Sequence, residues 1–284
     1  MLRIIIEIII AAILAITATL SLVTWTKMAS LESQISSVQR NLKTVSEKLA
    51  SSAASHDKAS DNSHSAPHWG YEGDMNPAKW GDTFATCGTG KAQSPIDIRG
   101  PFEKSTNALT VDYKPIPLKV LNNGHTLQVN VAPGSQMSIG GEKYDLLQFH
   151  FHRPSEELIE GKPAAMVAHF VHKSAGGKFA VVGVLLNQGA ENEVIRSIWS
   201  NAPQKEGPEV DVPGVALNLM KILPAALEYY AFEGSLTTPP CTEGVTFYIL
   251  KASGNVSREQ VNAFPFKLNA RPVQALNGRK VSAN

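Results

Sequence analysis

The sequence predicts a β-rich α+β domain in which one large sheet carries the chemistry, with a helical appendage in front of it. Three observations point there. From Leu109 onward the chain runs in short β-prone segments, each closed by a turn bearing Gly, Pro or Asn. Helical periodicity is confined to a few stretches. All 21 glycines and 17 prolines lie after residue 66, which sets the first 66 residues apart as a region of different composition. The 284 residues are 43% hydrophobic with a formal charge of +1, which excludes a disordered chain and gives no electrostatic reason to expect a nucleic-acid partner.

Residues 1–26 read as a membrane anchor. The run from Ile4 to Trp25 holds a single charge, Glu7, and its 22 residues suffice to cross a bilayer core of ~30 Å at ~1.5 Å per residue. The competing reading is a cleaved signal peptide with Arg3 as its basic start, but no small-x-small site closes the segment before Lys27. Residues 27–50 carry Leu31, Ile35, Val38, Leu42, Val45 and Leu49, an a/d heptad seam expected to pair chains through residues 31–49 or to lie as one amphipathic helix. Residues 51–66 are a polar flexible linker, and 67–284 form the globular domain.

Within that domain the expected strands are Leu118–Leu121, Leu127–Val131, Leu146–His152, Met166–His172, Phe179–Leu186 and Val245–Leu250. Turn signals stand at Asn122-Asn-Gly124, Pro133-Gly134, Gly140-Gly141, Gly161-Lys162, Gly176-Gly177 and Gly254-Asn255. Helices are expected at Asn192–Ser200, at Val215–Met220, and at Arg258–Ala263 behind a Ser257 cap. The two cysteines, Cys87 and Cys241, are either free or joined in one disulfide; an export segment favours the disulfide.

The chemistry concentrates in Gln148-Phe-His-Phe-His152. Side chains alternate along a strand, so His150 and His152 point to one face. A turn-rich stretch follows, long enough for the chain to double back and present His169 from a neighbouring antiparallel strand, while His172 faces the other way and is expected to be structural. Three imidazoles with a fourth position open is the ligand count of a catalytic zinc ion, one per chain, rather than of a structural one.

With six motifs in order, the chain resembles the α-class carbonic anhydrases from His68 to its end. The motifs are His68-Trp-Gly-Tyr71, Gln93-Ser-Pro-Ile-Asp97, Asn122-Asn-Gly-His125 with the histidine ligands, Gly234-Ser-Leu-Thr-Thr-Pro-Pro240 and Asn269-Ala-Arg-Pro272. The resemblance implies a large, twisted, mostly antiparallel central sheet and the reversible hydration of carbon dioxide to bicarbonate by a hydroxide generated at zinc. It implies His125 as proton shuttle, Thr237 as gatekeeper of the hydroxide, and Glu156 as the carboxylate to which Thr237 donates. It further implies an apolar substrate pocket at Val171, Val181 and Leu236 with Thr238, a water network held by Tyr71, Asn123 and Gln128, and Gln148 as the partner of His150. Secreted members of the family bridge the positions of Cys87 and Cys241, in agreement with the disulfide.

One position departs from the family pattern. The family places a glutamate two residues before the third ligand; here that residue is Val167, which has no acceptor to offer. Directly after Glu156, where the family has histidine, stands Glu157. The expectation is an exchange, with Glu157 reaching across the hairpin to orient His169. Two rival functions are weighed: a carbonic-anhydrase-like binding module on a membrane stalk, and a zinc esterase using the same hydroxide. The first loses ligands that are all retained here, and the second suits a larger pocket. The anchor places the domain on the extracytoplasmic side, periplasmic in a bacterium, or free in the periplasm if the segment is cleaved.

Overall fold

The computed structural model describes residues 68–284; the anchor, the heptad segment and the linker expected at 1–26, 27–50 and 51–66 lie outside the described residues. Among the described residues no helix is long and apolar enough to cross a membrane.

The chain enters through two short helices, α1 (Trp80–Thr83) and α2 (Ala85–Thr89). Short strands β1 (Asp97–Ile98), β2 (Glu103–Lys104) and β3 (Thr110–Asp112) precede the longer β4 (Ile116–Asn122), β5 (Leu127–Asn130), β6 (Gln136–Ile139) and β7 (Glu142–His152). The pieces β8 (Leu158–Ile159) and β9 (Lys162–Pro163) lead into β10 (Met166–Ser174) and β11 (Phe179–Gln188). After α3 (Glu193–Asn201) come β12 (Val210–Leu217), β13 (Tyr229–Ser235), β14 (Glu243–Leu250), β15 (Gly254–Val256), α4 (Arg258–Ala263) and β16 (Ser282–Ala283).

Thirteen strands form one mixed sheet whose main path runs β12-β4-β5-β7-β10-β11-β14-β13-β16-β2. Most neighbours are antiparallel; β11 with β14, β11 with β15, and β16 with β2 are parallel. Alternation sorts the side chains of the central strands between two faces. Phe149, Phe151, Ala168 and Phe170 enter the larger apolar core, where Ile195 and Ile198 of α3 also pack. Gln148, His150, His152, His169 and Val171 stand on the opposite face beside a second cluster containing Val167, Val181, Val245 and Phe247. That second face holds the site.

The six expected strands are all present, every boundary within two residues of its expected place except the start of β7, which lies four residues earlier at Glu142. Helix α3 begins at Asn192, whose side chain accepts from the Val194 and Ile195 amides. Helix α4 begins with a reciprocal box: Ser257 accepts from the Gln260 amide while the Gln260 side chain accepts from the Ser257 amide.

Two expectations are overturned. Val215–Met220 is not a helix: Ala216 and Leu217 pair with Pro117 and Ile116 in β12, and a single 3₁₀ turn, Leu219–Lys221, follows under an Asn218 cap. Gly214 at φ +78° gives a backbone bend inside β12, so the apolar residues after it resume the ladder rather than a helix. Gly254-Asn255 is likewise not a turn but part of β15, paired with Leu186 and Asn187; a methyl group at Gly254 would lie 2.9 Å from the Ile222 carbonyl, so the pairing there needs a bare Cα. Strand β13, Tyr229–Ser235, is not among the expected strands.

Cys87 and Cys241 are bonded, bridging 154 positions of sequence. The bridge fastens the turn between β13 and β14 to α2, and the Cys241 amide donates to the Thr238 carbonyl at 2.9 Å.

His172 faces the larger core side, where its Nε2 lies 2.7 Å from the Tyr113 hydroxyl. Burial pushes its pKa down to about 4, against the pull of the Phe170 and Ala180 backbone. A histidine kept neutral on folding costs stability wherever the unfolded chain would protonate it. The fold therefore weakens as pH falls from the ordinary histidine value of about 6.5 toward 4, by on the order of 3 kcal/mol through this residue. Urea unfolding across that window is expected to show a shallower loss of stability with acid in His172→Gln than in the parent chain; equal slopes would contradict the assignment.

Candidate metal centre and cleft

The pairing of β7 with β10 places His169 directly opposite His150 and Val167 opposite His152; on the far side of β7, Gln128 of β5 stands opposite His150. The three histidines can each offer one ring nitrogen to a common point, and those atoms all lie within 4.8 Å of one another. His152 and His169 are almost fully buried, at 1% and 2% exposure, and His150 is partly open to the cleft.

What aims the rings is the set of bonds on their other nitrogens. His150 Nδ1 meets Gln148 Oε1 at 2.8 Å, and His152 Nδ1 meets the Asn269 carbonyl at 2.6 Å. His169 Nε2 meets Glu157 Oε2 at 3.1 Å, while Val167 is buried among apolar neighbours. With these nitrogens occupied, His150 Nε2, His152 Nε2 and His169 Nδ1 are left to face inward. Of these, His152 Nε2 is buried without any hydrogen-bond partner, a cost that a metal ion would relieve. The donor set fits zinc: three imidazoles, each with its second nitrogen engaged.

The electrostatics agree for two of the ligands. Burial, reinforced by His169, pushes His150 down to about 3, and burial with both neighbouring histidines holds His152 far below its ordinary value, so both rings are neutral and free to ligate. His169 is different. Burial pulls it down, but the Glu157 carboxylate, both as a charge and as a hydrogen-bond acceptor, and then Glu156 raise it above the ordinary value.

Glu156 lies behind the triad, with Oε2 at 3.5 Å from His152 Nε2 and 3.8 Å from His169 Nδ1. Its Oε1 accepts from the Arg271 amide at 2.8 Å. Burial, helped by Glu157, pushes it up to about 8, against the opposing pull of His169, the Arg271 amide and the Thr237 hydroxyl. A divalent cation among the imidazoles would add a further charge favouring the ionised carboxylate. Thr237 is close enough to act on this carboxylate, although the two do not form a well-aligned hydrogen bond in this geometry.

The triad sits at the floor of a solvent-open cleft. Val171, Val181, Leu236 and Thr238 line it, as do Thr237, Gln148, Tyr71, Asn123, Gln128 and His125. All the residues expected at the site are thus gathered at one place, with Glu156 and Glu157 just behind its wall. Burial and Glu156 both raise the Tyr71 phenol, which stays neutral. Burial leads in lowering His125, Glu206 opposes it, and His68 adds to the lowering.

Four contributors were not anticipated. Trp69 stacks on His125 with ring centroids 3.6 Å apart, and Val245 and Phe247 extend the apolar wall. Asn269 gives His152 its carbonyl, and its side chain binds the Phe151 and His125 carbonyls and the Arg153 amide. A backbone carbonyl leaves no trace in residue type. For Trp69 the available signal was its place beside His68 in the first motif.

Comparison with known proteins bears on this geometry. The family model for the eukaryotic-type carbonic anhydrase matches residues 75–284. A carbonic anhydrase of Pectobacterium carotovorum is 41% identical over 218 residues, 75% of this chain and 89% of the relative. One from Neisseria gonorrhoeae is 43% identical over 222 residues, 75% of this chain and 87% of the relative. The α-carbonic anhydrase of Thermovibrio ammonificans, solved with the inhibitor sulfanilamide, superimposes with a TM-score of 0.73 at 39% identity, covering 77% of this chain and all of that one. A histidine triad on the central strands of such a sheet, within a sequence this similar, places the chain in the α-class, or eukaryotic-type, carbonic anhydrase family.

Proposed function

We propose that this enzyme converts carbon dioxide and water reversibly to bicarbonate and a proton at a zinc ion held by His150, His152 and His169. The observation that carries the reading is the inward convergence of three ring nitrogens whose opposite nitrogens are all engaged. Zinc bound there would supply acidity to a water molecule, and carbonic anhydrase is the standard case, in which that water's pKa falls to about 7.

The chain's own residues do the rest. Gln148, the Asn269 carbonyl and Glu157 fix the three rings in orientation, with Glu157 replacing the acceptor that Val167 lacks. Thr237 has one hydroxyl hydrogen; with Glu156 ionised and taking it, the Thr237 lone pairs face the cleft and hold the reacting water in one orientation. Carbon dioxide carries no net charge or dipole, so Val171, Val181 and Leu236 give it an apolar wall, with Thr238 at the edge. Tyr71, Asn123 and Gln128 hold the waters along which the proton leaves, and His125 takes it to the cleft mouth, since an imidazole can both accept and release a proton.

The disulfide supports an oxidising, extracytoplasmic setting. We place the domain on a membrane stalk made of residues 1–26 and the heptad segment 31–49, which also supplies a surface for pairing chains.

Stopped-flow hydration of carbon dioxide by the full-length chain, with zinc assayed on the same sample, tests the function. Rapid hydration at one zinc per chain, abolished in His169→Ala, is the expected result, and full zinc without hydration would overturn the assigned chemistry. Glu157→Ala is expected to weaken zinc retention or activity 10–100-fold, the usual cost of losing such a partner, with Glu157→Gln recovering part of it. Zinc affinity and turnover both unchanged in Glu157→Ala would show that His169 does not depend on this carboxylate.

A further inference from the structure

The turn that bears His125 has a carboxylate packed against it. Glu206 is exposed on the loop between α3 and β12, and that loop is pinned to the turn that bears His125. The Gly207 amide donates to the Asn122 carbonyl at 3.0 Å, and the Asn122 side chain donates to the Pro203 carbonyl at 3.3 Å. Between those anchors the Glu206 carboxylate lies flat on Gly124, so close that a methyl group there would sit 2.8 Å from Oε2. Gly124 itself has φ +82°, a conformation suited to glycine, and the lack of a side chain is what lets the carboxylate approach.

His125, the next residue, is held as firmly. Its amide donates to Asn123 Oδ1 at 3.0 Å, its carbonyl accepts from Asn269 Nδ2 at 3.0 Å, and its ring stacks on Trp69. Among the described residues the groups acting on that ring are two: His68 on the entering segment, which disfavours its charged form, and Glu206 on the loop, which favours it. A second acid on the same loop reaches the cleft by another route, Glu209 accepting from Asn130 at 2.5 Å while Asn130 accepts from the cleft-lining Gln128 at 2.7 Å.

We propose that Glu206 is a positioning residue for proton export: its carboxylate, lying against Gly124, stabilises the protonated ring of His125 at the cleft mouth. This rests on the reading of His125 as the shuttle. A shuttle works best when its affinity for the proton matches that of the donor it serves. Burial and His68 both pull the His125 ring away from its charged form, and among the described residues Glu206 is the group acting in the other direction. The proton moves from the reacting water, through the cleft waters, to a ring nitrogen of His125, and then to buffer; Glu206 neither gains nor loses it.

The test is carried out on the full-length, zinc-loaded chain. In Glu206→Gln the His125 ring, assigned by NMR against His125→Ala, is expected to titrate roughly half a unit lower. At low buffer concentration kcat is expected to fall roughly two- to threefold with kcat/KM unchanged, because only proton export is slowed. Added imidazole should restore kcat, and Glu206→Asp should retain most of it. High salt should reproduce part of the effect in the parent chain by screening an exposed pair. An unchanged His125 titration together with unchanged kcat would overturn the proposal, as would kcat/KM falling in step with kcat, which marks a structural defect. If His125→Ala itself leaves kcat intact, the shuttle reading fails and the role of Glu206 falls with it. That outcome is separate from a slow His125→Ala beside an unaffected Glu206→Gln, which removes Glu206 alone.

Discussion

The antiparallel register between β7 and β10 is the constraint on which the site depends. With His169 opposite His150, and His152 two residues further along the same face, three imidazoles converge without help from any flexible loop. A slip of one residue would turn the rings of the strand that slips toward the phenylalanine core, His150 and His152 for β7 or His169 for β10, and bring Phe149 or Phe170 to the cleft. The core itself opposes such a slip, because Phe149, Phe151 and Phe170 are fully buried and a shift would carry them out of the core. Gly183, opposite His169 on β11, adds a steric condition: a methyl group there would lie 2.4 Å from Ile249 Cδ1 and 3.7 Å from the His169 ring.

A second layer holds what the sheet cannot. Asn269 and Arg271, two residues apart near the C-terminus and both buried, tie distant segments to the ligands. Asn269 clamps His152, the end of β7 and the His125 turn together. Arg271 gives its amide to Glu156 and its guanidinium to Gln93, to the Ser94 carbonyl and to the Cys87 carbonyl. The disulfide continues from Cys87 to Cys241, beyond the Thr237 turn. Glu156 and Thr237 are therefore located by a belt of buried polar contacts running from residue 87 to residue 271, on the side of the triad away from the strands. Charge-bearing groups at this depth are costly when unpaired; the belt pairs Glu156 Oε1 and both Arg271 Nη atoms, while Glu156 Oε2 and Arg271 Nε have no hydrogen-bond partner among the described residues.

How much of this was legible from residues alone follows the same division. Period-two alternation makes His150 and His152 share a face and puts His172 on the other, so the ligand strand could be read directly; its true partner, Tyr113, could not be found by spacing. Glu157 stood out only because Val167 occupies a position where an acceptor is needed, and the structure sets its carboxylate 3.1 Å from His169 Nε2. The Asn269 carbonyl and the Glu206 contact are invisible in sequence, since one is main chain and the other depends on a loop folding back across more than 80 residues. The misread segment Val215–Met220 has an apolar spacing that a helix and an interrupted strand share, and tertiary pairing with β4 decided between them.

The central claim is that three oriented imidazoles hold the metal while the fourth position remains open to solvent. X-ray absorption on the zinc-loaded, full-length chain tests it most directly. The account predicts three imidazole nitrogens at about 2.0–2.1 Å and one light scatterer that a small anionic inhibitor can replace. Glu156, whose Oε2 already lies 3.5 Å from His152 Nε2, is the neighbour that could close the shell instead. A fourth, non-exchangeable protein ligand would contradict the account and make the site a structural one.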